Sequence, residues 1–363
     1  MKNVKEIIVT GGPCSGKTQG IWGKEDEGIE GLKRKLGALG FRVFITREVA
    51  TDVILGGVHD LQVLAKKDPQ KYLEIQNVIL QKQLDERKHA QNLAALFPDE
   101  PRVILYDRGP KDGEAYLPEG RYQKILKELG LTGDDVCYSF DAVIHMVAAA
   151  DGAETHYNLG NEARSERSLE DLRNLDARTL AAYIGHPHLF IIDNSTDFKT
   201  KVDERLYKAV LRTLGIPEPL EIERKFLVEY FHDSAIPKPF RSVAIEQIYI
   251  DIPYEYFYDF FGKSRIRKER YDEGLEKYYL VQKIGCGKTR GEVEVEISWR
   301  DHSILSGFII PRTTVIRKFR NYFVYKHQYF MLDTFESPSW AADKNLCLLE
   351  IELIDENDKV ELP

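Results

Sequence analysis

The chain has 363 residues, a length that suits two domains better than a single hydrophobic core. Its 43% hydrophobic and 30% charged residues are typical of a globular protein, and no apolar run approaches the roughly 18–20 residues that cross a bilayer. A net charge of −8 argues against general affinity for nucleic acid, so no nucleic acid is predicted as a partner. Lys2 and Lys5 lead directly into a short strand rather than a secretory signal, and the four scattered cysteines show no metal-ligand spacing. We therefore expect a cytoplasmic protein with reduced thiols.

The first 215 residues alternate short apolar segments with longer amphipathic ones, which predicts an α/β domain built on a parallel sheet. The predicted strands are Glu6–Thr10, Arg42–Thr46, Val103–Tyr106, Ala142–Val147 and Leu189–Ile192. The predicted helices include Tyr72–Leu96, Arg164–Ile184 and Lys199–Leu214. Gly215 and the two prolines that follow it end the last helix, so we place the first domain at 1–215 and a linker at 216–220.

Residues 221–363 have a different sequence pattern, in which strand-like segments follow one another and one short helix is predicted near Ser303–Ile309. The predicted strands are Ile222–Tyr230, Ala244–Ile250, Ser264–Tyr271, Tyr278–Ile284, Gly291–Ser298, Thr314–Arg320, Tyr322–Thr334 (with a bend) and Leu346–Ile354. Eight sequential strands separated by turn signals predict a closed, eight-stranded antiparallel β-barrel.

A phosphate-binding loop (P-loop) follows the first strand and precedes a helix. The motif G-x-x-x-x-G-K-[ST] is formed by Gly11, Gly12, Pro13, Cys14, Ser15, Gly16, Lys17 and Thr18. The backbone N–H groups of such a loop surround phosphate, Lys17 reaches the β- and γ-phosphates as a catalytic residue, and the Thr18 hydroxyl is a Mg²⁺ ligand. We therefore predict a site for ATP or GTP, between which the sequence does not decide. A second Gly-Lys-Thr at 287–289 lacks the earlier glycine and is interpreted as a hairpin turn.

Further residues belong to the predicted nucleotide site. Asp107 ends an apolar strand, where P-loop proteins carry an acid that lies near Mg²⁺ or acts as a base on the hydroxyl of an acceptor. Arg108 follows it, and this Asp-Arg pair resembles the one in small-molecule and nucleotide kinases. Glu48 ends the previous strand and is either part of the site or a surface carboxylate at a helix start. Arg164 and Arg167 are either a lid over the phosphates or a solvated helix face, and Asn194 follows the last strand, where a loop contacts the base.

The second domain carries charges at every second residue on several strands. The alternating sets begin with Glu221, Glu223 and Lys225 and continue with Arg265 and Arg267, the glutamates at 292, 294 and 296, Lys318 and Arg320, and Glu350 and Glu352, with Lys283, Arg290 and Asp333 as single charges. On one open sheet such alternation marks a solvated face. On the inner face of a closed barrel it predicts a binding tunnel, because desolvated acids need divalent cations and desolvated bases need phosphate oxygens.

The order E-x-E-x-K, R-x-R, lysine, E-x-E, K-x-R, Asp and E-x-E resembles the CYTH, or triphosphate tunnel metalloenzyme, family across Glu221–Leu353. The resemblance implies that Lys225, Arg265, Arg267, Lys283, Lys318 and Arg320 bind phosphates, with Lys225 and Arg267 counted as catalytic. It also implies that Mg²⁺ or Mn²⁺ is held by Glu221, Glu223, Asp333, Glu350 and Glu352. The implied reaction is hydrolysis of a triphosphate-like substrate, and the family also includes cyclases.

The pairing of a kinase-like P-loop domain with a tunnel domain resembles the TRPL-translocation-defect protein family over essentially the whole chain. That resemblance implies GTP binding, and phosphatidic-acid binding by the tunnel domain that is linked to membrane-protein trafficking and places the protein at the periphery of membranes. Two hypotheses follow: a P-loop kinase or NTPase joined to a metal-dependent triphosphatase, and a non-catalytic, nucleotide-regulated module that captures an anionic phospholipid.

Overall fold

The structure is a computed structural model that describes residues 4–59, 61–154, 168–216, 220–228, 235–252, 262–284 and 290–363. The chain forms two compact units, residues 2–210 and 211–363. Residues 217–219 of the predicted linker and the Gly-Lys-Thr at 287–289 lie outside the described residues. The domain boundary at 216–220 therefore stays a prediction.

The first unit contains the predicted parallel sheet of five strands. They are β1 (Val4–Thr10), β2 (Arg42–Thr46), β3 (Arg102–Asp107), β4 (Ala142–Met146) and β5 (Leu189–Ile192), in the spatial order β2-β3-β1-β4-β5. Every residue of β3 and β4 is buried, which explains why these segments are continuously apolar rather than alternating. The register places Val9 at the end of β1 beside Asp107 at the end of β3, so the P-loop and the strand-end acid meet at one edge of the sheet.

Helices surround this sheet. They are α1 (Lys17–Trp22), α2 (Leu32–Ala38), α3 (Val49–Leu55), α4 (Leu61–Lys67), α5 (Pro69–Ala95), α6 (Arg121–Glu128), α7 (Gly133–Cys137), α8 (Leu169–Ala181) and α9 (Leu206–Leu214). A 3-10 helix spans Pro110–Tyr116, and a π-helical turn, Thr200–Arg205, leads into α9. The long helix α5 begins where Asp68 accepts the N–H of Lys71 and Pro69 occupies the first turn, two signals that favour a helix start.

The second unit is an antiparallel sheet that closes on itself. Its strands are β6 (Leu220–Glu221), β7 (Glu223–Val228), β8 (Phe240–Ile252), β9 (Gly262–Arg270), β10 (Glu276–Ile284), β11 (Arg290–Ile297), β12 (Ile316–Tyr325), β13 (Gln328–Ser337) and β14 (Cys347–Glu352). The order is β6-β11-β10-β9-β8-β12-β13-β14-β7. Because β6 and β7 are consecutive pieces of one segment and pair with opposite edges, the sheet closes into the predicted eight-stranded barrel.

One hairpin of the barrel differs from the prediction. A strand break was expected after Arg320, whereas β12 continues to Tyr325 and the chain reverses at Lys326 and His327, whose φ angles are 47° and 56°. Positive φ at both turn residues is the geometry of a tight hairpin, which usually needs Asn or Gly. Since neither occurs here, the sequence lacks the usual turn signal.

Two short helices accompany the barrel strands. The one predicted near Ser303–Ile309 begins earlier, as α10 (Trp299–Leu305), with a 3-10 turn at Ser306–Phe308. Ser298 accepts the N–H of Asp301 while Asp301 accepts the N–H of Ser298, a reciprocal cap that the sequence S-x-x-D encodes. The second, α11 (Ser339–Ala342), was not predicted. In the described ranges, no helix combines the length and the apolarity needed to cross a membrane.

Candidate nucleotide site and candidate polyanion site

The side chain of Lys17 is buried in the P-loop. Its ammonium donates to the carbonyl oxygens of Gly11 (3.0 Å) and Gly12 (2.9 Å) and to the hydroxyl of Ser15 (3.1 Å). Burial, with Arg108 nearby, lowers the pKa of Lys17 to about 8. The cation is thus held by neutral oxygens alone, which are weaker partners than phosphate oxygens.

Thr18 and Asp107 lie together at the edge of the sheet. The Thr18 hydroxyl donates to Asp107 Oδ2 over 2.9 Å. Asp107 Oδ1 is buried and has no hydrogen-bond partner in the described part of the chain. Burial raises the pKa of this carboxyl group. An orphaned buried carboxylate oxygen beside a P-loop hydroxyl is a donor set that fits Mg²⁺, which takes few protein ligands and otherwise oxygen from phosphate and water.

Arg108 joins three parts of this site. Its Nε donates to Glu48 Oε1, and its Nη1 donates to the Gly11 carbonyl oxygen (3.1 Å) and to Asp112 Oδ2 (3.2 Å). Although burial by itself would raise it, the pKa of Glu48 is lowered to about 2, because Arg108 and Lys17 favour the carboxylate. Glu48, which the sequence left undecided, thus pairs with Arg108 beside the P-loop and is only partly exposed.

Asp112 completes this network. It accepts the hydroxyls of Thr10 (2.7 Å) and Tyr183 (2.8 Å) in addition to Arg108. The sequence analysis missed this residue, and its position four residues after Arg108 in a 3-10 helix is the one signal that could have found it.

Asp176 on α8 holds the P-loop from the opposite side and was also missed. Its carboxylate accepts the N–H groups of Gly12 and Ala148, and it lies 3.2 Å from Nε2 of His145. Burial by itself would raise the pKa of Asp176, but His145 and these N–H groups lower it to about 2. In this arrangement one carboxylate ties the loop to β4 and α8.

The predicted base-side residue Asn194 is engaged within the protein. Its amide donates to the carbonyl oxygens of Ala148 (2.9 Å) and Asp151 (2.6 Å) and accepts from Lys201 (2.6 Å). Lys201, whose pKa is lowered to about 8 by burial, also donates to the Val147 carbonyl oxygen. Both side chains thus hold the loop after β4. The predicted lid residues Arg164 and Arg167 lie in the segment 155–167, outside the described residues.

In the barrel, the strand register puts the alternating charges on one face. Cross-strand partners share a face, and the pairs Lys225 with Glu350 and Arg320 with Asp333 join the sets that the sequence analysis found on separate strands. The described members of that face among the predicted charges are Glu223, Lys225, Arg265, Arg267, Glu292, Glu294, Glu296, Lys318, Arg320, Asp333, Glu350 and Glu352. The side chains of Glu221 and Lys283 lie outside the described residues.

A first charge cluster is centred on Asp333, which is fully buried. Arg320 forms two bonds to its carboxylate, both 2.7 Å, and also donates to Glu350 Oε2 (2.6 Å). Lys318 donates to Asp333, while Lys225 lies 3.1 Å from Glu350 and 3.0 Å from Glu223. Six of the predicted phosphate and metal residues thus neutralise one another in this structure.

A second charge cluster lies on β9, β10 and β11. Arg267 lies 2.8 Å from Glu294 and 2.8 Å from Glu269, and its guanidinium is 4.9 Å from the ring centroid of Tyr279. Arg265 donates to Glu292 over 2.7 Å. Glu269 was missed, although it continues the R-x-R spacing by two residues on the same face. Burial raises the pKa of Tyr322, and charges of both clusters, among them Arg320 and Arg267, lie near enough to act on it.

The predicted metal ligands of the barrel do not form a ready site among the described residues. No group of three or more His, Cys, Asp or Glu there is arranged to hold a metal ion. Asp333 and Glu350 are bonded to Arg320 instead. Metal binding by Glu221, Glu223, Asp333, Glu350 and Glu352 therefore stays a prediction that requires the ion pairs to open.

Comparison with solved structures gives likenesses that each cover 38% of this chain. They include the crystal structure of the hypothetical protein NE1496 (27% identity, 78% of that chain, TM-score 0.24) and the PH1819 protein from Pyrococcus horikoshii OT3 (25%, 80%, 0.27). A third is a putative adenylyl cyclase from Hippeastrum, described as having a dominant triphosphatase activity (15%, 80%, 0.24). TM-scores this low do not establish a shared fold.

Comparison with curated proteins gives no match. A protein-family model described as an AAA domain (AAA_28) matches residues 6–201, which include β1, the P-loop, Asp107 and Asp176. That match covers more than half of the chain. On this evidence, the chain belongs to the AAA domain family.

Proposed function

We propose that the chain binds the magnesium complex of ATP or GTP at its P-loop and cleaves the terminal phosphoanhydride bond there. The observation that carries this proposal is the meeting of Lys17, Thr18 and Asp107 at the ends of β1 and β3, with one buried oxygen of Asp107 unpartnered in the described part of the chain. Magnesium bound there would neutralise negative charge on the phosphates. Thr18 and Asp107 are the residues that would hold it.

The chain's own groups have separable roles in this scheme. Lys17 exchanges the carbonyl oxygens of Gly11 and Gly12 for phosphate oxygens, which are better partners for a buried ammonium. Asp176 keeps the loop in shape through the N–H of Gly12. Arg108 contacts Glu48, Asp112 and Gly11 and so acts as a positioning residue.

For the barrel we propose binding of a triphosphate-like polyanion, with hydrolysis as its reaction. What supports this is the barrel face that carries five described cations, four of them partly buried and Lys225 exposed, among carboxylates that a metal ion would compensate. The other four are Arg265, Arg267, Lys318 and Arg320. Membership of the TRPL-translocation-defect family, preference for GTP and capture of phosphatidic acid remain proposals that rest on the sequence resemblance alone.

The first prediction concerns Lys17 and Lys225. Phosphate release from ATP, GTP and inorganic triphosphate would be measured with Mg²⁺ or Mn²⁺, beside nucleotide binding by calorimetry. Lys17→Ala is expected to weaken nucleotide binding by roughly tenfold or more, because the buried ammonium is the cation nearest the phosphates. Lys225→Ala is expected to reduce triphosphate turnover only.

Two controls match these changes. Lys88→Ala removes an exposed lysine of α5, and Lys268→Ala removes a lysine that alternates to the other face of β9 from Arg267. Unchanged nucleotide binding in Lys17→Ala would refute the P-loop assignment. No turnover of any substrate, together with flotation on phosphatidic-acid liposomes that depends on GTP, would favour the non-catalytic phospholipid-binding module.

A further inference from the structure

A cavity of about 360 Å³ opens beside the P-loop, inside the first unit. One end is lined by residues of the loop and of α1, among them Lys17 and Thr18. The other end runs between α3, α5, α6 and the 3-10 helix Pro110–Tyr116. Because the loop end is where the terminal phosphate of a nucleotide would lie, the far end has the position of a phosphoryl acceptor.

The far end of the cavity is apolar and aromatic. Ile54, Leu80 and Leu117 line it together with the rings of Tyr72 and Tyr122. The hydroxyls of both tyrosines donate to the 3-10 helix, to the carbonyl oxygens of Tyr116 (3.2 Å) and Pro110 (3.1 Å). The rings therefore present hydrocarbon surface to the cavity, which suits a ligand with a ring or another apolar body.

The charges of the described lining are already matched. They are Lys17, Glu48, Arg108 and Asp112. Arg108 is bonded to both carboxylates and to a carbonyl oxygen, so its guanidinium is committed. Lys17 faces the nucleotide end. An acceptor that carried its own phosphate or carboxylate would thus find no uncommitted cation at the far end of the cavity among the described residues, which disfavours its binding.

Neutral polar recognition is available instead. Gln76 on α5 is 7% exposed and lines the cavity, and its amide has no hydrogen-bond partner among the residues that the structure describes. An amide offers two donors and an acceptor to a neutral polar group. A bound hydroxyl or ring nitrogen would give this amide a hydrogen-bond partner inside the cavity.

Of the three carboxylates near the cavity, Glu48 is the one placed to accept a hydrogen bond from an acceptor hydroxyl, beside the bonds that its two oxygens accept from Arg108 and from the Thr51 hydroxyl (2.9 Å). Asp112 is occupied by Thr10, Tyr183 and Arg108. Asp107 is bonded to Thr18 and does not line the cavity, whereas Glu48 does and keeps 28% of its side chain exposed.

From these contacts we propose that the cavity holds the phosphoryl acceptor, and that this acceptor is an uncharged organic molecule bearing a hydroxyl group on a ring-containing or otherwise apolar body. The proposal rests on the nucleotide-dependent function above. In the transfer, the acceptor oxygen forms a bond to the γ-phosphorus while the bond from that phosphorus to the β–γ bridging oxygen breaks. The acceptor hydroxyl donates a hydrogen bond to Glu48 and loses its proton to water, and the nucleoside diphosphate leaves with the bridging oxygen and its electron pair.

The test uses a library of ring-bearing alcohols in which each alcohol has its phosphate monoester as a partner. Ligand-observed NMR with the full chain measures binding with and without Mg·ATP or Mg·GTP. Alcohols are expected to bind and their monoesters to fail. Ile54→Trp, which fills the cavity, is expected to weaken alcohol binding roughly tenfold or more. Leu55→Trp, the next residue of α3 and 69% exposed, is the matched control and is expected to leave binding unchanged.

Binding of the monoesters in preference to the alcohols would overturn the proposal, as would alcohol binding that Ile54→Trp does not affect or no binding by any compound. Nucleotide affinity, measured on the same samples, reports separately on the proposed function.

Discussion

Each unit contains an ion-pair network of buried or partly buried side chains with one guanidinium at its centre. Arg108 bonds Glu48, Asp112 and a P-loop carbonyl, and Arg320 bonds Asp333 and Glu350. Guanidinium suits this position because its planar fork makes several bonds at fixed geometry and stays charged when buried. The networks add little net stability by themselves, but losing the central cation leaves carboxylates buried and unpaired.

At the residue scale, we predict that Arg108→Met destabilises the first unit by about 3–5 kcal/mol, because Glu48 and Asp112 lose their shared counter-ion. Urea unfolding followed by the fluorescence of Trp22 would measure this in a chain whose exposed Trp299 and Trp340 are replaced by Phe. Arg34→Met removes a cation that is 74% exposed and is the control, with an expected change below about 1 kcal/mol. Equal effects of the two substitutions would contradict the prediction.

At the scale of single elements, the P-loop depends on backbone space that glycine alone leaves. A Cβ at Gly11 would lie 2.0 Å from the carbonyl oxygen of Met146 on β4, and the φ of Gly11 is 137°. The motif glycine is thus required by close packing of the loop against a strand as well as by the phosphate. On the barrel side, the element that decides the site is the strand register, because it selects which alternate residues share a face.

We predict that Gly11→Ala destabilises the first unit and weakens nucleotide binding, because the loop must move away from β4 to admit the methyl group. Gly37→Ala is the matched control: in helix α2 nothing lies within 4 Å of its added Cβ, and the substitution is expected to stabilise by about 0.5–1 kcal/mol. Thermal unfolding and calorimetric nucleotide binding would be compared for both variants. Wild-type affinity in Gly11→Ala would show that the loop tolerates the displacement.

At the scale of the whole molecule, the two units handle phosphate in different ways. The first unit offers the ammonium of Lys17, which donates only to neutral oxygens. A phosphate can therefore bind this ammonium without breaking an ion pair. The barrel offers arginines and lysines that are already bonded to carboxylates. A polyanion can enter the barrel only if it displaces those carboxylates, and a divalent cation is what would accept them.

We therefore predict that inorganic triphosphate binds the barrel with Mg²⁺ or Mn²⁺ and binds much more weakly without them. Calorimetry in the presence and absence of a chelator would measure the difference, with Lys17→Ala used throughout to silence the P-loop. Arg320→Gln is expected to abolish the metal-dependent binding. Equal affinity without metal would show that the carboxylates are not displaced.

A further prediction for the whole chain concerns acid. The pKa values of Asp176 and Glu48 are lowered from 3.8 and 4.5 to about 2 in the folded chain, so the stability that their ionisation contributes is complete above about pH 4.5. It is lost as the pH falls toward 2, by about 2 kcal/mol or more for each group. Urea midpoints from pH 7 to pH 2.5 would measure the loss. Asp176→Asn should flatten the profile, and an unchanged profile would contradict the assignment.

The spacing of apolar and charged residues, and the glycines and prolines that end elements, determined the five parallel strands, the P-loop and the alternating charges of the barrel. These signals are local in the sequence. The tertiary structure alone decided which charges meet, since Asp176 reaches Gly12 from a helix more than 160 residues away and Glu269 reaches Arg267 only through strand parity. The tertiary structure also placed Glu48 beside Arg108. From the sequence alone, Glu48 was compatible with either a surface carboxylate at a helix start or a residue of the site. The hairpin at Lys326 and His327 escaped prediction because its positive φ angles are adopted by residues that carry no turn signal. The cavity between α3, α5 and the 3-10 helix had no sequence signature, because its lining comes from segments whose apolar periodicity is that of any buried core.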